Sequence, residues 1–143
     1  MEQIFTLKEE LKNIKSPSDI FKKILKFKID YNQENLIVFY LNVKNKVIHS
    51  EVIYKGGLNE CIAEPNIIFR KALLKNSYSI IMAHNHPSKD LTPSEPDLNV
   101  FERLKDGGKL LNIKVLDSII FNKKEFYSLV EGLKWIKKRL RKH

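Results

Sequence analysis

Cysteine is nearly absent: Cys61 is the only one in 143 residues. A single thiol excludes an intramolecular disulfide framework and a cysteine-rich zinc module. Long apolar runs are also missing. None approaches the roughly 20 residues that cross a bilayer as a helix, so no membrane partner is expected. The start, Met1-Glu2-Gln3-Ile4, lacks the basic-then-apolar order of a secretion signal. No internal repeat, low-complexity stretch or linker interrupts the chain. These absences lead to the expectation of a single domain over residues 1–143 in a soluble, reducing, cytoplasmic setting.

What is present is globular. Hydrophobic residues make up 43% and charged residues 30%, enough apolar surface to offset chain entropy. The net charge of +9 is regional. Residues 1–30 have a balance of +2, residues 31–100 are neutral, and residues 101–143 carry twelve basic against five acidic side chains. Lys134, Lys137, Lys138, Arg139, Arg141 and Lys142 fall in the last twelve residues, which hold no acid. A basic terminal helix over 132–143 could touch nucleic-acid phosphates non-specifically. The plainer reading is an amphipathic helix with a solvated basic face, aided by cations near its C-terminus. No aromatic interleaving or nucleic-acid module accompanies the run.

Periodicity supplies the element order. Residues 1–15 are ambiguous, with a short helix ending near Ile14 as one reading. Ser16-Pro17-Ser18-Asp19 is a helix start, and Ile20, Phe21, Ile24 and Leu25 carry helical spacing to about Lys28. Leu36 to Val43 reads as a buried strand, Asn42 to Lys46 as a turn, and Val47 to Tyr54 as the returning strand. Gly56-Gly57 breaks the pattern. A helix opens at Pro65, and Tyr78 to Ala83 is a second buried strand. Ser94 begins a further helix, with Leu98, Phe101 and Leu104 on one face, that Gly107-Gly108 is expected to end. Ile113 to Phe121 and Glu125 to Val130 read as a last hairpin. Helices interleaved with apolar strands predict an α/β fold: a mixed β-sheet flanked by helices on both faces.

Chemistry concentrates where the second buried strand ends. His84 and His86 stand there in His84-Asn85-His86-Pro87, and residues two apart on a strand face the same side. Ser94-Glu95-Pro96-Asp97 opens the next helix, whose first turn can fold Asp97 back over the strand end. Two imidazoles and one carboxylate leave a fourth position for water, as in catalytic zinc sites. Each half has a plainer reading. A His-x-His at a strand end is weak by itself, and Ser-x-x-Asp is most often a cap with Ser94 at the N-cap and Asp97 at N3. The combination within fourteen residues is stronger than either half.

His84-x-His86-Pro87, six residues, then Ser94-x-x-Asp97 resembles the JAMM (MPN+/JAB) metalloprotease motif. The string His84-Asn85-His86-Pro87-Ser88 is closer to the RadC-like branch of that superfamily. So are Gly57-Leu58-Asn59, the segment from Pro65 to Leu73, and Val115-Leu116-Asp117. The resemblance covers residues 31 to 131. It implies an α-β-α sandwich of the JAMM/MPN, cytidine-deaminase-like kind. It implies that His84, His86 and Asp97 bind zinc, that a protein or peptide is the substrate, and that an amide or isopeptide bond is cleaved. By the same resemblance, Glu34, at the start of the first strand, would take a proton from the zinc-activated water and deliver it to the leaving amine. Ser94 would hydrogen-bond the oxyanion. Zinc brings the pKa of its water to about 7 and polarises the carbonyl, so a carboxylate can serve as base. Read without the resemblance, Glu34 is a solvent-exposed strand-end residue.

The chain departs from the family pattern at three places. Lys89 stands where Gly is usual, a position where an L side chain adopts φ > 0 at a cost. Ser118 replaces His after Leu116-Asp117, and Asn66 replaces Arg after Pro65. The family also carries a helix-hairpin-helix region; with about 30 residues ahead of the core, this chain reads as a core-only form.

Other readings fit less well. A metallo-β-lactamase needs Asp four residues after its first His, and position 88 is Ser. Only His49 and His143 remain as further imidazole ligands. Cys61 is more readily a small packed residue than a nucleophile. Two non-hydrolytic alternatives stand beside the enzyme. One is a DNA-associated accessory protein of repair, recombination or mobile elements, in line with the RadC label and the basic tail. The other is an inactive zinc-stabilised scaffold, against which Glu34 argues because a structural site needs no base.

Overall fold

The computed structural model describes residues 13–56 and 64–132. The basic segment from residue 133, the N-terminal twelve residues, Gly57-Leu58-Asn59 and Cys61 lie outside them. Within these residues the named elements follow in order: α1 (Pro17–Ile24), β1 (Glu34–Leu41), β2 (Val47–Gly56), α2 (Pro65–Leu74), β3 (Ser79–His84), α3 (Glu95–Leu111), β4 (Lys114–Phe121) and β5 (Phe126–Ser128). The strands form one sheet in the order β2-β1-β3-β4-β5. β3 and β4 are parallel, and the other three pairings are antiparallel. The sheet is mixed because two hairpins combine with strand–helix–strand crossovers through α2 and α3.

Alternation along β1 builds two cores. Leu36, Val38 and Tyr40 pack with Ile80 and Met82 of β3 beneath Ile68, Phe69 and Ala72 of α2 and Phe101 and Leu104 of α3. Ile37, Phe39 and Leu41 face the other way, onto Ile20 and Ile24 of α1, together with Ile119 and Phe121. Every residue of β1 and β3 is buried. Helices therefore cover both faces, as the α/β expectation required.

Several boundaries differ from the sequence reading, each for a physical reason. α1 stops at Ile24 rather than near Lys28, because Phe27 leaves the helical path and its ring meets Phe39 edge-on at 6.0 Å. Asn13 bridges to Lys46, and the rest of the N-terminal helix reading lies outside the described residues. β1 begins at Glu34, not Leu36, since Glu34 and Asn35 pair with Gly56 and Lys55 although they are polar. Gly56 stays within β2. α3 runs through Gly107 and Gly108 to Leu111, and the left-handed Asn112 (φ 56°) closes it. A Cβ on Gly107 would meet the Phe69 ring at 3.1 Å, and one on Gly108 would collide with the Ile113 carbonyl. The two glycines therefore admit close packing and do not terminate the helix. β5 covers only Phe126–Ser128, and residues 129–132 are helical. Ser128 makes that switch: its hydroxyl donates to Asp117 and accepts the N–H of Glu131 at 3.0 Å.

Candidate metal centre

The site grows from the paired ends of β1 and β3. Leu36 lies opposite His84, and the antiparallel pairing continues past the strand, with the N–H of Asn85 donating to the Asn35 carbonyl at 3.4 Å. Residues two apart share a face, so Glu34, His84 and His86 project from one side and Asn35 and Asn85 from the other. The asparagines interlock beneath. The Asn85 Oδ1 accepts the backbone N–H of Asn35 at 2.9 Å and its side-chain amide at 3.1 Å. The Asn85 Nδ2 donates to the Gln33 carbonyl at 2.8 Å, and the Asn35 Nδ2 to the Asp30 carbonyl at 2.9 Å. Both residues are 1% exposed, so these bonds are made away from water and hold the strand end rigidly.

α3 delivers the carboxylate. Ser94 caps the helix by accepting the N–H of Asp97 at 3.2 Å, and the Asp97 Oδ2 accepts the Ser94 N–H at 2.9 Å. This reciprocal cap fixes the rotamer of Asp97. Its Oδ1 then lies 3.0 Å from the Nε2 of His84 and its Oδ2 3.0 Å from the Nε2 of His86. The two Nε2 atoms are 3.3 Å apart. One donor atom from each of His84, His86 and Asp97 lies within 4.8 Å of the others.

The donor chemistry fits a zinc-type ion. The His86 Nδ1 is 2.8 Å from the Asp90 carbonyl, which can only accept, so Nδ1 carries the proton and Nε2 directs its lone pair inward. Two imidazole nitrogens and one carboxylate oxygen form a borderline-soft set with an open position. The hydrogen bond to Asp97 raises the His86 pKa above its ordinary value, against the effect of burial. Burial would push Asp97 up, but hydrogen bonds from His84 and His86 hold its carboxyl well below the usual carboxylate range.

Glu34 is not the exposed strand-end residue of the plainer reading. It is 6% exposed, and its Oε2 is buried with no hydrogen-bond partner among the described residues. Burial raises its pKa, while the charges of His84 and His86 partly restore it. Ser94 sits at the same helix start with its oxygen occupied by the Asp97 N–H. Of the three departures, Lys89 does adopt the left-handed conformation (φ 67°) that suits glycine. Ser118 is buried opposite Met82 in the β3–β4 register, and Asn66 is an exposed residue whose Oδ1 accepts the N–H of Ile67. The sequence reading gave no role to Asn35, Asn85 or the Asp90 carbonyl. The signal available for the asparagines was their place at the ends of two apolar strands, where a polar residue faces the core.

Comparison with known proteins agrees with this architecture. The RadC-like JAB domain family matches residues 14–135. A UPF0758 protein of Staphylococcus haemolyticus is 46% identical over 118 residues, which is 82% of this chain and 52% of that protein. One from Clostridium perfringens gives the same figures. One from the archaeon Methanosarcina mazei is 40% identical over 123 residues, covering 86% of this chain and 54% of its own. The chain thus spans about half the length of the curated relatives it matches. From the mixed sheet, the His-x-His strand end and this coverage, the chain belongs to the RadC-like JAB domain family of the JAMM/MPN+ superfamily.

Proposed function

We propose that the chain is a zinc-dependent metallohydrolase that cleaves amide bonds in a protein or peptide substrate, as a peptidase or isopeptidase. The observation that carries this reading is the convergence of His84, His86 and Asp97 beside a buried carboxylate oxygen of Glu34 that has no partner among the described residues. A purely structural site would not need an unpaired base, whose burial costs stability.

His84, His86 and Asp97 hold the ion. When bound, zinc supplies Lewis acidity that polarises the scissile carbonyl and acidifies a water molecule. Glu34 is the proton carrier. Its raised pKa brings it closer to the working range of a general base, so it accepts the proton of the attacking water and passes it to the leaving amine. Ser94 accepts the Asp97 N–H through its oxygen, which leaves its hydroxyl proton to donate to the oxyanion of the tetrahedral intermediate. Asn35 and Asn85 keep the strand end in place throughout.

Metal analysis of the purified full chain, joined to peptide hydrolysis, tests the proposal. About one zinc per chain, lost in Asp97→Ala together with hydrolysis, is expected. A chain that takes up no zinc, or hydrolysis indifferent to Asp97→Ala, would overturn it.

A second proposal rests on the charge of residues 101–143. The basic segment 134–143 makes a non-specific contact with nucleic-acid phosphates. Duplex binding that weakens steeply with salt and disappears when that segment is removed would support it. The absence of binding at low salt would rule it out.

A further inference from the structure

A cleft of about 550 Å³ lies at the ends of β3 and β4, and nothing derived so far uses it. Its lining includes Lys89, Lys123 and Lys124, with Tyr31, Asn122 and a single acid, Asp30. Among the described residues none of the three ammonium groups has a carboxylate partner. The Lys123 Nζ stands 5.2 Å over the Tyr31 ring, which is itself wedged edge-on against Phe121 at 6.0 Å.

One side chain fixes this cationic cradle. The Asn122 Oδ1 accepts the backbone N–H groups of Lys124 and Glu125 at 2.8 and 2.7 Å, which shapes the turn. The Asn122 Nδ2 donates to the Lys89 carbonyl at 3.1 Å, which ties that turn to the loop after His86. The Lys89 N–H donates to the His86 carbonyl at 2.8 Å. Lys89 therefore carries its charge from a left-handed backbone, anchored on one side to His86 and on the other to the lysine-bearing turn. A glycine would hold that backbone at no steric cost, so the lysine stands there against a local penalty.

We infer that this cleft binds an acidic side chain of the peptide substrate. The inference rests on the hydrolase reading and names the substrate class for it. Charge complementarity selects a carboxylate, and preorganised backbone lowers the ordering cost of binding it. A peptide is favoured over nucleic acid because the cleft is a bounded pocket of about 550 Å³, not a track along a phosphate backbone. Its one aromatic face is already covered by Lys123 and not open for a base to stack.

The test uses the full chain and two fluorescein-labelled probes, hexaglutamate and hexaglutamine, with binding measured before and after zinc loading. Hexaglutamate should bind at least about tenfold more tightly, the size expected from two or three partly exposed ion pairs. Lys89→Gln with Lys123→Gln should erase that preference while zinc uptake stays at the wild-type level. Lys137→Gln with Lys138→Gln should leave the preference intact. Equal binding of the two probes overturns the inference, as does a preference that survives the first pair and vanishes with the second. Displacement of hexaglutamate by duplex DNA with loss of DNA binding in the first pair would assign the cleft to phosphates and also overturn it. Binding is read separately from turnover. A chain that prefers hexaglutamate through these lysines but hydrolyses nothing refutes the hydrolase alone. One that cleaves neutral and acidic peptides equally well, with no binding preference, refutes the cleft alone.

Discussion

The side-chain oxygen of Asn85 lies 2.9 Å from the backbone nitrogen of Asn35, and both residues are almost wholly buried. That contact joins β1 to the segment between the two histidines, on the side of the sheet opposite them. Asn85→Ala leaves the N–H of Asn35 and the carbonyl of Gln33 without these partners. A loss of about 2–4 kcal/mol in chemical denaturation is expected from orphaning buried groups. Zinc affinity measured by competition with a chelator should fall about 10- to 100-fold, although Asn85 touches no ion.

Glu34 offers a trade between activity and stability. Burial raises its pKa, so the folded state disfavours its charge and the wild-type chain loses stability as pH rises through that pKa. Glu34→Gln removes this loss. The variant should be about 1 kcal/mol more stable at pH 8 than wild type, with a smaller gain at pH 4. Zinc content should be unchanged, and hydrolysis should drop by at least about 100-fold.

Glu51 on β2 should respond in the opposite sense. Burial pushes its pKa up, but hydrogen bonds from Lys71 at 2.5 Å and His49 at 2.8 Å outweigh it and hold the carboxyl below its ordinary value. A depressed folded pKa gives stability that is present above the unfolded value and lost as pH falls through the folded one. Glu51→Gln should therefore cost about 1 kcal/mol at pH 7, and the difference from wild type should shrink below about pH 4. Urea titrations across that range would show it.

The paired glycines of α3 separate two effects. Gly107→Ala gains helix propensity and meets only the movable edge of the Phe69 ring at 3.1 Å, so it should change stability by no more than about 1 kcal/mol. Gly108→Ala drives a Cβ into the Ile113 carbonyl, a backbone atom at the start of β4. It should cost about 3 kcal/mol or more, visible as a Tm drop of several degrees.

Much of the fold was legible because its signals are local. The apolar runs around Leu36–Leu41 and Ile80–Ala83 announced central strands, and Ser94-x-x-Asp97 announced a helix start that does form a reciprocal cap. Where the reading failed, a polar or small residue was doing a tertiary task. Glu34 and Asn35 extend β1 because the neighbouring strands hydrogen-bond them, which an apolar criterion does not register. Gly107 and Gly108 resemble a helix stop, yet they admit Phe69 and the Ile113 carbonyl close to the helix. Ser128 ends β5 early because its hydroxyl serves Asp117 and the next helical turn together.

The sequence by itself determined the donor types and their spacing, since a two-residue step on a strand and an N3 position on a helix set directions that need no partner. It also determined the order of strands and helices. Only the tertiary structure decided that the Asp97 carboxylate meets both imidazoles, that the Glu34 oxygen is buried without a described partner, and that Lys89 borders one cleft with the distant pair Lys123 and Lys124. Those relations depend on the register of β1 against β3 and on the path of the chain around the sheet ends, and long-range packing fixes both.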